Sequence, residues 1–251
     1  MTRNTWIIFT AVVVALFGTL VYLSSSDNVD VSNVDATKIQ PASEASGNIA
    51  DHTFGNANSK VVLFEYGDFQ CPGCKGAVEP IKTITEKYKD QLAFTFRAFP
   101  LTSIHANAIA AAASAEVAGF EGKYWEMHDL LYQNQDSWEG ASASDRTDLF
   151  AGYAAQLGID ETKFKTTLED RRDDINKKID FDQALGRKSG VNSTPTFYLN
   201  GEKLDQVVKD GKIVPAGTEG ATSVWADPET FDTLILQPAF KEAGIDISNV
   251  Q

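Results

Sequence analysis

Cysteine occurs only as Cys71-Pro72-Gly73-Cys74 in this 251-residue chain. A spacing so short cannot cross-link a long loop. Chain-entropy reasoning gives closure of a four-residue ring roughly 2 kcal/mol, well below what a long-loop disulfide yields. Stabilisation is a poor reason for the pair, and thiol–disulfide exchange is a better one. The competing chemistry is half of a zinc site, which would need further ligands. No second cysteine pair exists, and His52, His105 and His128 are scattered without ligand spacing. The expectation is therefore no metal, and no cofactor beyond the Cys71–Cys74 couple itself.

What the pair does depends on the elements that carry it. Residues 60–66 (KVVLFEY) are a short β-branched and aromatic run that predicts a buried strand. Pro72 suits a first helical turn, where its missing donor is no loss, and Val78, Ile81, Ile84 and Tyr88 follow near a 3.6-residue period over 76–89. A strand that hands Cys-x-x-Cys to a helix places Cys71 at the helix N-terminus, where unpaired amides and the macrodipole favour a thiolate. Cys71 is the predicted nucleophile. Cys74, one turn deeper, is less accessible and is placed to attack a mixed disulfide on Cys71, releasing the partner.

Beyond this unit, residues 93–99 read as a second strand and about 104–188 as a long helical region. Its pieces are an Ala-rich stretch at 106–118, a helix at 123–133 with Trp125, Met127, Leu130 and Leu131, and one face at 164–179 repeating Phe164, Leu168, Ile175 and Ile179. The charges of 169–174 are expected on solvated faces. Residues 196–199 and 202–207 flank Asn200-Gly201, a hairpin signal, and 228–243 predicts a closing helix. The Gly-rich stretch 208–226 predicts no element. Tyr66, Phe69 and Trp125 are expected in the core rather than in a binding groove.

Residues 6–23 carry no charge, and a helix over them spans about 27 Å, close to a bilayer core. With Arg3 on the short N-terminal side, the positive-inside rule predicts a single-pass anchor at 1–23 and an extracytoplasmic domain. A cleaved signal peptide is the alternative, given the small residues Ser24 and Ser26. Residues 24–50 are rich in Ser, Asn, Asp and Ala and predict a flexible polar linker, leaving 51–251 as the folded domain. A net charge of −13 argues against nucleic acid or an anionic membrane face as partner, while 43% hydrophobic residues suffice for a full core.

The segments FEYGDFQCPGCKGAVEPI, RAFPL, HANAIAAAASAEVAGFEGKYWEMHDLLYQNQDSW and GVNSTPTFYLNG together resemble the DsbA-like thioredoxin-fold oxidoreductases over roughly residues 55–205. The resemblance implies an α/β fold, a thioredoxin sheet interrupted by a helical domain at about 104–188. It implies a monomeric dithiol oxidase that donates its disulfide to reduced or unfolded exported proteins and is re-oxidised by a quinone-linked membrane partner. It places Glu65 at the family's buried acid, where a raised pKa would let it exchange a proton with Cys74. The residues around Glu65 leave its face undecided, and Arg97 is a candidate charge partner. The resemblance also places Thr194-Pro195 at the cis-proline loop that lies against the cysteines and pairs with an extended substrate strand. One departure is Gly73: strongly oxidising members carry histidine there, so the direction of electron flow stays open between oxidase and reductase or isomerase. A non-enzymatic metal-binding surface protein is a more distant alternative.

Overall fold

A computed structural model describes residues 29–250, together with Trp6, Phe9, Thr10 and residues 12–14. The membrane anchor expected at 1–23 thus falls mostly outside the described residues. Among the described residues, no helix is long and apolar enough to cross a membrane.

The redox motif is carried by a five-stranded sheet of order β1-β3-β2-β4-β5: β1 (Thr53–Gly55), β2 (Val62–Gly67), β3 (Ala93–Ala98), β4 (Thr196–Leu199) and β5 (Glu202–Lys203). β2 and β3 run parallel, which requires a crossover, and α1 (Pro72–Lys87) supplies it. β1 and β4 add antiparallel to β3 and β2, and β5 to β4. The strand expected at 60–66 and the helix after Pro72 are both present, shifted by one or two residues at their ends.

The helical region lies between β3 and β4: α2 (Ala108–Gly119), α3 (Tyr124–Gln133), the short α4 (Gln135–Trp138), α5 (Ala143–Gln156), α6 (Glu161–Asp170) and α7 (Arg172–Lys188). The single face read over 164–179 is in fact divided between α6 and α7, which break at Arg171. Phe164, Ile175 and Ile179 nevertheless share one core, because two helices meeting at a corner can turn their apolar stripes to the same interior. That core continues to Phe69, Cys71, Cys74 and Phe96, so the insertion is packed onto the redox motif.

Asn200-Gly201 makes the predicted hairpin turn, with φ of 51° and 87° at its two positions. Its second strand is shorter than expected. Val207, the last residue of the expected second strand, and the stretch that predicts no element form a separate three-stranded sheet of β6 (Val207–Lys209), β7 (Lys212–Val214) and β8 (Thr222–Ser223) in the order β7-β6-β8. The signal for it is weak because each strand is only two or three residues long. The closing helix runs as α8 (Pro228–Phe231), a π-helical stretch over Asp232–Leu236 and α9 (Gln237–Ala243).

The linker expectation does not hold for residues 29–50. This segment lies on the sheet face opposite α1, alongside α7, and buries Val31, Ser46 and Ile49. Composition argued for disorder because large apolar groups are few. What orders the segment is polar: Arg97 on β3 is fully buried and donates to the carbonyls of Ala36 (2.7 Å) and Lys38 (2.6 Å). Asp51 Oδ2 accepts from the same guanidinium at 2.8 Å, and Lys178 bridges Asp51 (2.9 Å) to Asp182 (2.5 Å). Lys188 further donates to the carbonyls of Val31, Ser32 and Val34. Buried charges of this kind require partners, and the N-terminal segment provides many of them.

Candidate active site

Cys71 is the N-cap of α1, with extended backbone (φ −77°, ψ 123°), and its carbonyl accepts the first helical bond from Lys75 N at 3.1 Å. Pro72 occupies the first helical position, so it costs no hydrogen bond. The loop before Cys71 is held by the insertion: Gln135 Nε2 donates to the carbonyls of Phe69 (2.7 Å) and Cys71 (3.2 Å), and Gln70 Nε2 to Glu139 O at 3.0 Å. Asp68 is the hub of this loop. Its buried carboxylate accepts from the amides of Gln70 (2.8 Å) and Leu101 (2.7 Å) and lies 2.7 Å from His105 Nδ1. Spacing gave no hint of Asp68, Gln70 or Gln135, because most of their partners lie 30 or more residues away in the chain and only folding unites them.

The two sulfurs differ as the helix geometry requires. The Cys71 thiol is pulled down to about 5, first by a hydrogen bond from Cys74 and then by Thr194 and the amides of Cys74 and Gly73, against the opposing effect of burial. Cys71 Sγ also lies 3.4 Å from the Thr194 carbonyl, a contact that favours the protonated thiol. It is long and single, and the several donors outweigh it. Cys74 is wholly buried and accepts from Asp68 N at 3.4 Å. Burial pushes its thiol well above the ordinary range, helped by the hydrogen bond it gives to Cys71 and by the charge of Glu65.

Glu65 is a buried residue on β2, paired with Phe96 of β3 in register. Its carboxyl is raised to about 8, chiefly by burial and secondarily by the negative charge on Cys71. Arg97 is not its partner. Arg97 pairs in register with Tyr66, and because successive strand residues face opposite ways, Arg97 and Glu65 point to opposite sides of the sheet. The guanidinium instead stacks 4.3 Å from the Phe64 ring, on the Asp51 side.

The Thr194–Pro195 peptide is cis, and this loop lies directly beside the cysteines. A Cβ at Gly73 would stand 3.2 Å from Pro195 Cδ and 3.6 Å from Cys71 Sγ, so any side chain there would lie between the loop and the nucleophile. The Thr194 hydroxyl is buried and has no other partner among the described residues, which leaves it free to donate to the Cys71 thiolate. The predicted residues Glu65, Cys71, Pro72, Gly73, Cys74, Thr194 and Pro195 thus meet at one place. Of the aromatic residues left to the core, Tyr66 and Phe69 are buried there, whereas Trp125 is partly buried beside Phe54 and Phe94.

A thioredoxin family model matches residues 47–213, which include all of these positions. This chain belongs to the thioredoxin family. Among solved structures, the thiol-disulfide exchange protein alpha-DsbA2 from Wolbachia pipientis is 26% identical, with a TM-score of 0.53 over 61% of this chain and 77% of that one. The Wolbachia pipientis alpha-DsbA1 structure, at 22% identity, shares the fold with a TM-score of 0.58 over 77% of this chain and 92% of its own. The DsbA-like resemblance read from the sequence is borne out at the level of family and fold. A Na(+)/H(+) antiporter NhaA 1 from Salinispora arenicola (strain CNS-205) is 38% identical over 153 residues, 61% of this chain. The match spans only 22% of the antiporter, so the likeness concerns that segment, and nothing about ion transport comes with it.

Proposed function

We propose that this protein is a thiol-disulfide oxidoreductase that works outside the cytoplasm as a dithiol oxidase, donating the Cys71–Cys74 disulfide to reduced or unfolded exported proteins. The observation that carries this reading is the opposed displacement of the two thiols: Cys71 down to about 5, Cys74 well above its ordinary range. A client thiolate attacks Cys71, the sulfur nearer the surface, and Cys74 leaves as the thiolate and takes a proton from Glu65. A second client thiolate then attacks the client sulfur of the mixed disulfide, and Cys71 departs as a thiolate already favoured at neutral pH. Stabilising that leaving group favours the reduced enzyme, which is what an oxidant needs. The Thr194–Pro195 loop is the docking edge for an extended client segment, next to Cys71. Re-oxidation falls to a quinone-linked membrane partner, and the protein acts as a monomer.

Gly73 is the observation that favours the second reading, a reductase or isomerase. It places no cation beside Cys71, although losing one contact worth about 1.4 kcal/mol shifts a two-electron potential by only about 30 mV. Equilibrating the purified protein with glutathione buffers, alongside thiol trapping in cells, tests the direction. The expected result is a mainly oxidised resting pair with a potential above that of a general reductase, and a mainly dithiol pair with a strongly reducing potential would overturn it. Protease treatment of intact cells is expected to digest residues 51–251, whereas digestion only after lysis would contradict the extracytoplasmic placement.

A further inference from the structure

Behind the cysteines, a cavity of about 50 Å³ runs between α1, α3 and the sheet, and its lining includes Glu65, His128, Trp125, Lys82 and Asp129. That volume holds more than one water. Glu65 lies at the inner end, while Lys82 and Asp129 form a 2.5 Å ion pair at the partly exposed outer end. His128 stands between aromatic rings, with Phe96 and Tyr132 at 5.0 Å, Trp125 at 5.3 Å and Phe69 at 5.5 Å. Its Nδ1 is 3.1 Å from Asp129 Oδ1, and its buried Nε2 has no hydrogen-bond partner among the described residues. One turn further along α3, the Tyr132 hydroxyl is likewise buried and unpartnered among the described residues, within the electrostatic reach of Cys74 and Glu65.

The exchange chemistry gives these groups a task. When a client thiolate forms its bond to Cys71 and the Cys71–Cys74 bond breaks, the leaving Cys74 thiolate takes the proton of Glu65. Glu65 is then a buried carboxylate that must recover a proton from solvent. In the return direction Glu65 first yields its proton to solvent; as a carboxylate it then takes the proton of Cys74, which attacks Cys71 Sγ, and the partner's sulfur leaves, reduced, as a thiolate. Either way one proton must cross the protein at each turnover, and Cys74 itself is sealed from water.

We propose that His128 is a positioning residue for this transfer: its Nε2 orders the inner end of a hydrogen-bonded path through the cavity, joining Glu65 to the Lys82–Asp129 pair at the mouth. With Nδ1–H donating to Asp129, Nε2 is left as an acceptor, the form in which it receives a proton from within while Asp129 steadies the resulting charge. The titratable groups lining this path besides His128 are Glu65 from β2, Lys82 and Glu86 from α1, and Asp129 from α3 itself, with Cys74 and Tyr132 within electrostatic reach of Glu65; Phe54 of β1 and Phe94 of β3 carry none. Burial holds the imidazole pKa below its ordinary value, so His128 is neutral at rest and charges only in transit. The inference rests on the oxidoreductase reading of Glu65 and the cysteines.

The test mixes reduced full-length protein with oxidised glutathione and quenches in acid, because the Cys71–glutathione adduct and its resolution by Cys74 differ in mass. In His128→Phe and His128→Gln, adduct formation is expected to be unchanged. Resolution should slow about tenfold, with an altered pH profile between about pH 5 and 9 and a larger solvent deuterium isotope effect. Glu65→Gln should slow the same step. If His128→Phe does not fold, His128→Gln decides, since it removes only the titrating ring. Wild-type resolution rates and pH profiles in a folded His128 variant would overturn the proposal, while a slow Glu65→Gln would leave the parent reading standing. Absence of adduct formation in the wild-type protein would instead overturn the oxidoreductase reading itself.

Discussion

Cys71 and Glu65 are two acids that the fold moves in opposite directions, and each shift is measurable at its own residue. For Cys71, the rate of alkylation of the reduced protein is expected to rise with a midpoint near pH 5 and to be flat through neutrality. A midpoint near that of an ordinary thiol, about 8.5, would contradict the N-cap geometry. For Glu65 the folded value of about 8 lies above the unfolded one, so the native state holds the extra proton between the two. The contribution of Glu65 to stability therefore falls as pH rises from about 4.5 to about 8 and levels off above, a loss of roughly 3–5 kcal/mol at about 1.4 kcal/mol per unit, opposed in the reduced protein by the Cys71 thiolate, whose lowered value adds stability as pH rises above about 5. Glu65→Gln should remove that slope, raising the urea midpoint of the reduced protein at pH 8 and changing it little near pH 4.5. Cys71 was legible in the sequence because a helix N-terminus is a local feature. The face of Glu65 was not, because a run apolar on both sides leaves the sheet orientation to be set by strands far along the chain.

At the scale of elements, the least legible part is residues 29–50. Nothing in that composition announces order, and the residues that hold it, Arg97, Lys178 and Lys188, stand 60 to 160 positions away and look like surface charges. The helix–strand plan was far more readable, since β2, α1 and β3 each carry their own period. Asp51 is the joint between the segment and the sheet, and the charges of Lys178 and Arg97 hold its carboxyl down at about 2 despite complete burial. Asp51→Asn would leave Arg97 without its carboxylate partner and Lys178 with Asp182 alone, and a loss of about 3–5 kcal/mol in chemical denaturation is expected. The carboxylate's contribution is present above the ordinary aspartate range and is lost as pH falls through about 2, so the variant's deficit should narrow in acid. A deficit below 1 kcal/mol at neutral pH would show that the segment is not anchored this way.

Across the whole molecule, the helical insertion and the sheet meet at the redox motif, and their packing makes the two sulfurs unequal. The insertion supplies Gln135 and the core around Cys74, while the sheet side supplies Glu65 and the Thr194–Pro195 loop. Cys71 faces the loop and Cys74 faces the interior, the arrangement on which the proposed roles rest, Cys71 meeting partners and Cys74 closing the cycle. Capture of mixed disulfides in cells carrying Cys74→Ser or Cys71→Ser tests this division of labour most directly. The Cys74→Ser protein is expected to accumulate covalent, reductant-sensitive complexes with client proteins and the Cys71→Ser protein none, whereas equal trapping by both would contradict the assignment of Cys71 as the sulfur that meets clients and Cys74 as the one that resolves them.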